Sequence, residues 1–239
     1  MSALRKLALA ALVLLAGCGG KREEPDDPAQ VRMQQAVDQL RQQLAEQPSS
    51  PLIHFQLGQV YDRYGQADSA MAAYQRAIAL EEAFPEAHFN LAAAYYAQGR
   101  TREAISAYQQ ALRFRPDYAL AHNNLGFIYK KAGDLDQAEA AYGQAIRCDS
   151  TFYEAYNNLG QLHKQRNHLD QALPLYRRAI ALKPDFPEAY VNLATACKTL
   201  GQRGEEQQVL NAYLAQFGQE ATHSAYARER LRDLAKARQ

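Results

Sequence analysis

Residues of one kind return every 34 positions from Pro51 to about residue 220. Set in rows that begin at Pro51, Pro85, Ala119, Tyr153 and Pro187, the seventh column reads Leu57, Leu91, Leu125, Leu159 and Leu193. The eighth reads Gly58, Ala92, Gly126, Gly160 and Ala194, and the fifteenth reads Gly65, Gly99, Gly133, Asn167 and Gly201. Columns 20, 24 and 27 hold Ala, Tyr and Ala in four rows (Ala70, Tyr74 and Ala77 in the first), then Glu206, Leu210 and Tyr213 in the fifth. Small residues at columns 8, 20 and 27 let two helices approach closely, and Leu and Tyr fill the gaps between them. Gly or Asn at column 15 suits a left-handed turn that ends a helix. Asp68, Asp136 and Asp170 then fall near the start of a second helix, where a carboxylate favours the helix dipole. Each row reads as a helix–turn–helix hairpin. One hairpin cannot bury its apolar face alone, so the rows must stack.

The period, the column identities and their spacing resemble the tetratricopeptide repeat. The resemblance implies an all-α fold, a right-handed solenoid of five repeats at 51–84, 85–118, 119–152, 153–186 and 187–220. Residues 29–50 read as a half-repeat helix at the front, with Ala36, Leu40 and Pro48 in columns 20, 24 and 32. Residues 221–239 read as an amphipathic capping helix, with Tyr226, Leu231 and Leu234 over the open end and its basic residues on a solvated face. Pro174 falls inside the second helix of the fourth row, where it kinks that helix or sits in its opening turns.

The chain begins with an address. Arg5 and Lys6 precede an uncharged run from Leu7 to Ala16, too short to span a bilayer and suited to a secretory signal. The run ends in Leu15-Ala16-Gly17-Cys18, which resembles the bacterial lipobox. Residues 1–17 are then a signal peptide, and Cys18 becomes the lipidated first residue of the mature chain. Residues 18–28 are polar and punctuated by Gly and Pro, a flexible tether that reaches about 35 Å when extended. Gly19, rather than Asp, follows the cysteine. By resemblance to Gram-negative lipoproteins this favours the outer membrane, with the protein facing the periplasm. Loss of Arg5 and Lys6 leaves 25 basic against 26 acidic residues. A near-neutral chain is not a wholesale nucleic-acid binder, and no nucleic-acid partner is expected. Cys148 and Cys197 lie about two repeats apart, too far for a disulfide, and Cys197 reads as a small buried hydrophobe.

By resemblance to the family, the first helices line a concave groove and column 6 points into it. That column reads Gln56, Asn90, Asn124, Asn158 and Asn192. A side-chain amide carries donors and an acceptor, so a ladder of them matches an extended peptide backbone whatever its side chains. This is similar to the asparagine ladder in the repeat domain of O-linked N-acetylglucosamine transferases. The bland alternative is that the asparagines hold neighbouring helices together. Asn123 and Asn157 add amides beside the ladder, and Phe89 and Phe127 offer apolar anchors. Lys130, Lys131, Lys164 and Lys198 stand near the far edge, where they favour acidic partner segments or are ordinary solvated lysines. Column 5 (Phe55, Phe89, Asn123, Asn157, Val191) contains no Lys, which departs from the carboxylate clamp of some family members.

His54, His88 and His122 recur in column 4, and stacked helices about 8–10 Å apart favour packing over metal ligation. No catalytic, cofactor or metal motif stands out, and repeats and caps consume almost the whole chain. The expectation is a non-enzymatic scaffold that binds other proteins or extended peptides, anchored by the lipid on Cys18, in envelope assembly or secretion. Alternatives are a recruiter of peptidoglycan enzymes or proteases, and a groove that holds a glycan or small ligand.

Overall fold

The computed structural model describes residues 27–218 and 222–236. Among the described residues are twelve helices and no strand. α1 (Pro28–Glu46) precedes five hairpins. These pair α2 (Pro51–Arg63) with α3 (Ala67–Leu80), α4 (Pro85–Ala97) with α5 (Thr101–Phe114), and α6 (Ala119–Ala132) with α7 (Leu135–Cys148). They continue with α8 (Tyr153–Gln165) and α9 (Leu169–Leu182), then α10 (Pro187–Thr199) and α11 (Arg203–Phe217). α12 (Ser224–Lys236) closes the stack. Each helix packs on its hairpin partner and on the next row, the arrangement of a solenoid.

The column residues explain why the rows fold alike. Gly65, Gly99, Gly133 and Gly201 have positive φ, and Asn167 takes the same left-handed turn at φ 61°. Those five positions are column 15, so the turn between paired helices sits where Gly or Asn costs least. Beneath the turn, the column 24 tyrosines Tyr74, Tyr108, Tyr142 and Tyr176 are buried. A Cβ placed on Gly126 would stand 2.7 Å from the Tyr142 ring, and one on Gly160 would stand 2.7 Å from Tyr176. Glycine at column 8 therefore makes room for the tyrosine of the same row. In rows two to four, column 4 ties the row to the loop before it. His88 Nε2 lies 2.9 Å from the Glu82 carbonyl, His122 Nε2 lies 2.9 Å from that of Pro116, and the Tyr156 hydroxyl donates to the Ser150 carbonyl at 3.3 Å. The recurring histidines thus hold the loops between repeats, each through the carbonyl six residues upstream.

Three expectations are refined. Pro174 lies inside α9 on its exposed side, and the helix continues through it to Leu182. At the front, α1 buries Met33 and Val37, while Ala36 and Leu40 are only half-buried. With no first helix of its own row beside it, α1 packs on α2 and turns a different face inward than the later second helices. At the rear, α12 buries Ser224, Ala227 and Leu234, with Leu231 packed against them, and Tyr226 is exposed. The inward stripe follows the helical spacing through Ser224, Ala227, Leu231 and Leu234, which leaves Tyr226 outside it. Arg230 is not on a solvated face. Its Nε and Nη2 donate to the two carboxylate oxygens of Glu206 at 2.6 and 3.0 Å. Glu206 is 1% exposed, so the departure from alanine at column 20 exists to bind the cap. Cys148 and Cys197 are both free thiols, and burial pushes the pKa of the Cys197 thiol up to about 11.

Candidate peptide-binding face

Successive first helices touch through two sets of rungs. One runs from column 12 to column 9 of the next row. Tyr96 meets Phe127 edge-on at 5.9 Å, and Lys130 Nζ donates to Gln161 Oε1 at 3.1 Å. The other runs through the ladder amides. Asn158 Nδ2 donates to Asn123 Oδ1 at 3.0 Å, and Asn192 Nδ2 donates to Asn157 Oδ1 at 2.9 Å. Asn90 and Asn124 behave differently. Their Nδ2 groups donate to tyrosine hydroxyls sixteen residues upstream, Tyr74 at 3.4 Å and Tyr108 at 2.9 Å.

Column 5 decides which partner the amide takes. Where it is Phe55, the ring is buried against Tyr74 and Phe84. Where it is Phe89, the ring stacks on Tyr118 at 4.9 Å and meets Tyr108 at 5.4 Å. Neither offers a polar atom, so the amide one row on turns to the tyrosine hydroxyl. Where column 5 is Asn123 or Asn157, both buried, its carbonyl oxygen captures the next amide. The corresponding tyrosines, Tyr142 and Tyr176, then keep buried hydroxyls without a partner among the described residues. Buried hydroxyls of this kind are uncommon, and leaving one unpaired costs about 1–3 kcal/mol.

The ladder therefore holds the stack together and has hydrogen-bonding capacity to spare. Each of its four asparagines donates one N–H to the solenoid, and its second N–H and its carbonyl oxygen make no hydrogen bond among the described residues. One donor and one acceptor per row is the complement that an extended backbone needs. Gln56 is half-buried on α2 in the same column. Phe127 is half-buried, with Lys130 and Lys131 ammonium groups 5.9 and 5.6 Å from its ring centre. Phe89 is engaged in packing, which makes it a lesser anchor than its place in the sequence pattern implies. Lys130 and Lys164 are half-buried and follow one another in column 12. Desolvation and the neighbouring Lys131 hold the Lys130 ammonium below its usual range.

The rungs from column 12 to column 9 and the role of the tyrosine hydroxyls lie beyond what the sequence pattern predicts. The switch of column 5 from Phe to Asn between rows two and three is the available signal. Among the described residues no group of three or more His, Cys, Asp or Glu could hold a metal ion. No helix among them is long and apolar enough to cross a membrane. Cys18 lies outside the described residues.

Family models match most of the repeat region. One described as TPR repeat matches residues 63–99 and 92–133, and two described as Tetratricopeptide repeat match 117–185 and 163–229. No curated protein matches the sequence. Among solved structures, pilF of Pseudomonas aeruginosa is 19% identical with a TM-score of 0.65, covering 84% of this chain and 89% of that one. YrrB, described as a TPR protein with an unusual peptide-binding site, is 16% identical with a TM-score of 0.63, covering 81% and 100%. A thermophilic TPR protein of Thermus thermophilus is 26% identical with a TM-score of 0.56, covering 70% and 92%.

Proposed function

Since the chain belongs to the tetratricopeptide repeat family, we propose that it works as a membrane-anchored scaffold that grips extended segments of partner proteins along its first-helix face. Members of this family are in general non-enzymatic scaffolds for protein or peptide partners. The observation that carries the reading here is the ladder at Asn90, Asn124, Asn158 and Asn192. The solenoid holds each amide in place through one N–H, so its remaining donor and acceptor are preorganised and cost little ordering on binding. That YrrB is described as having a peptide-binding site is in keeping with such a use of the fold.

Anchoring rests on Leu15-Ala16-Gly17-Cys18 and on the polar stretch behind it. Lipid on Cys18 holds the scaffold at an extracytoplasmic membrane surface, the outer membrane facing the periplasm in a two-membrane cell. Stable anchoring needs more than one acyl chain, which a lipoprotein cysteine carries. A scaffold there serves envelope assembly or secretion. A small-ligand reading has less behind it. A cavity lined by Tyr190, Leu210, Tyr213 and Ala227 measures about 10 Å³, room for roughly one water, and a roomier open hollow of about 310 Å³ beside Arg177, Glu205 and Val209 includes none of the ladder asparagines.

Two variants test the two halves of the proposal. Cys18→Ser should move the protein out of the membrane fraction and leave its fold intact. The pair Asn124→Leu and Asn158→Leu should reduce co-isolated partner protein while the helical circular dichroism is retained. Membrane retention of the serine variant refutes the anchor. Unchanged partner recovery from the leucine variant refutes the groove.

A further inference from the structure

The first-helix face differs between its front and rear halves, and the difference names a class of partner. In front, Phe55 and Phe89 close column 5, and the Tyr74 and Tyr108 hydroxyls are bonded. Behind, column 5 is Asn123 and Asn157, and the Tyr142 and Tyr176 hydroxyls are buried and unpartnered among the described residues. The same half carries Lys130, Lys131, Lys164 and Lys198 at the ends of its first helices. Among the described residues none of these four lysines makes an ion pair, whereas Lys183 pairs with Asp185, Arg166 with Asp136 and Glu139, and Arg177 with Glu205. A helix dipole accounts for lysine in a last turn. It does not account for half-burial of the Lys130 ammonium with no carboxylate beside it, which costs stability until a counter-charge arrives.

Resting on the reading of this face as a peptide groove, we propose that its rear half, repeats three to five, takes an extended acidic segment of a partner protein, with a carboxylate at every third residue. Packed helices stand about 8–10 Å apart, and α6, α8 and α10 touch in turn. An extended chain advances about 3.1–3.3 Å per residue, so about three residues span one repeat. Carboxylates at that interval meet Lys130, Lys164 and Lys198 in succession. The backbone between them meets the amide pairs Asn123–Asn158 and Asn157–Asn192. Asn158 and Asn192 each keep one N–H and the carbonyl oxygen for that backbone while the other N–H stays on Asn123 or Asn157.

The test is fluorescence anisotropy of labelled peptides of about twelve residues, which span about four repeats at this advance, against the full-length protein in detergent. Two peptides share one composition, one with Glu at every third position and one with the Glu residues clustered at an end. The spaced peptide should bind about tenfold tighter, and binding should weaken as salt rises from about 50 to 300 mM. Lys130→Ala, Lys164→Ala and Lys198→Ala together should lose about tenfold. Tyr142→Phe with Tyr176→Phe, the control beneath the face, should leave thermal stability unchanged or higher, since a lost orphan hydroxyl relieves the fold, and leave the affinity for the spaced peptide unchanged. Equal binding of the two peptides, or indifference to the lysine variant, overturns the inference. A neutral peptide that binds as tightly leaves the groove in place and removes the acidic partner. If no peptide binds and Asn124→Leu keeps its protein partners, the groove reading falls as well.

Discussion

Replacing Arg230 by Met should release the C-terminal helix while the repeats stay folded. Glu206 occupies a position that is alanine in the other four rows, at Ala70, Ala104, Ala138 and Ala172. Its carboxylate is 1% exposed, and Arg230 holds both oxygens. Methionine keeps much of the arginine stem and removes the guanidinium, so a charge is left buried without a partner. Breaking a buried pair in this way costs about 3–5 kcal/mol, and the lower end applies because the Arg230 side chain is 22% exposed and water can reach it. About 3 kcal/mol is a little over a hundredfold in the population of the detached state. The remaining hold on α12 includes the packing of Ala227, Leu231 and Leu234, the hydrogen bond from Ser224 Oγ to the Gly218 carbonyl at 2.7 Å, and that from His223 N to the Tyr213 hydroxyl at 3.2 Å. Repeats feel only their neighbours, so the loss should stay at the end of the stack. Native-state hydrogen exchange read by mass spectrometry should show exchange across Ser224–Lys236 rising about a hundredfold, with α3 to α7 unchanged. Adding Glu206→Ala removes the stranded charge and should recover most of the protection. Unchanged exchange in α12, or a double variant worse than the single one, would refute the reasoning.

Other outcomes follow from the same packing. Gly126→Val should lose about 2–3 kcal/mol in chemical denaturation, because its Cβ would meet the Tyr142 ring at 2.7 Å. Gly143→Ala, in the interior of α7 with only the Arg147 side chain 3.5 Å away, should gain about 0.5–1 kcal/mol. Burial lowers the pKa of His163, with Glu139 opposing at 3.9 Å. The neutral ring's contribution is thus full above about pH 6.5 and is lost as pH falls through the lowered folded value. His163→Tyr, the column 11 residue of the first three rows, should make the melting temperature flatter between about pH 7 and 5. In the native protein a maleimide should modify Cys148 first and reach buried Cys197 only after denaturation.

The solenoid was legible because each column has one physical task repeated in every row. Gly65 and its equivalents need a left-handed turn, and Tyr74 and its equivalents need a small residue opposite. Position 167 kept the turn with Asn, which tolerates that backbone almost as well. The ends were less legible because they lack a neighbour to fix their inward face. α1 turned Met33 and Val37 inward where the repeat ruler pointed to Ala36 and Leu40. Glu206 and Arg230 lie in different helices, and nothing in the spacing of either announces the pair. The ladder column was visible as a row of amides, but its division was not. Asn158 and Asn192 choose their partners by what column 5 offers one row earlier, a tertiary relation across 35 residues.

Site-specific photo-crosslinking in living cells tests the central claim most directly. A photoreactive residue is placed at Asn124 or Asn158 on the first-helix face, with Gln144 on the exposed side of α7 as the control. The account predicts one partner protein captured from both ladder positions and none from Gln144. Capture from Gln144 with nothing from the ladder would contradict it, and would leave the asparagines as rungs that only hold the solenoid together.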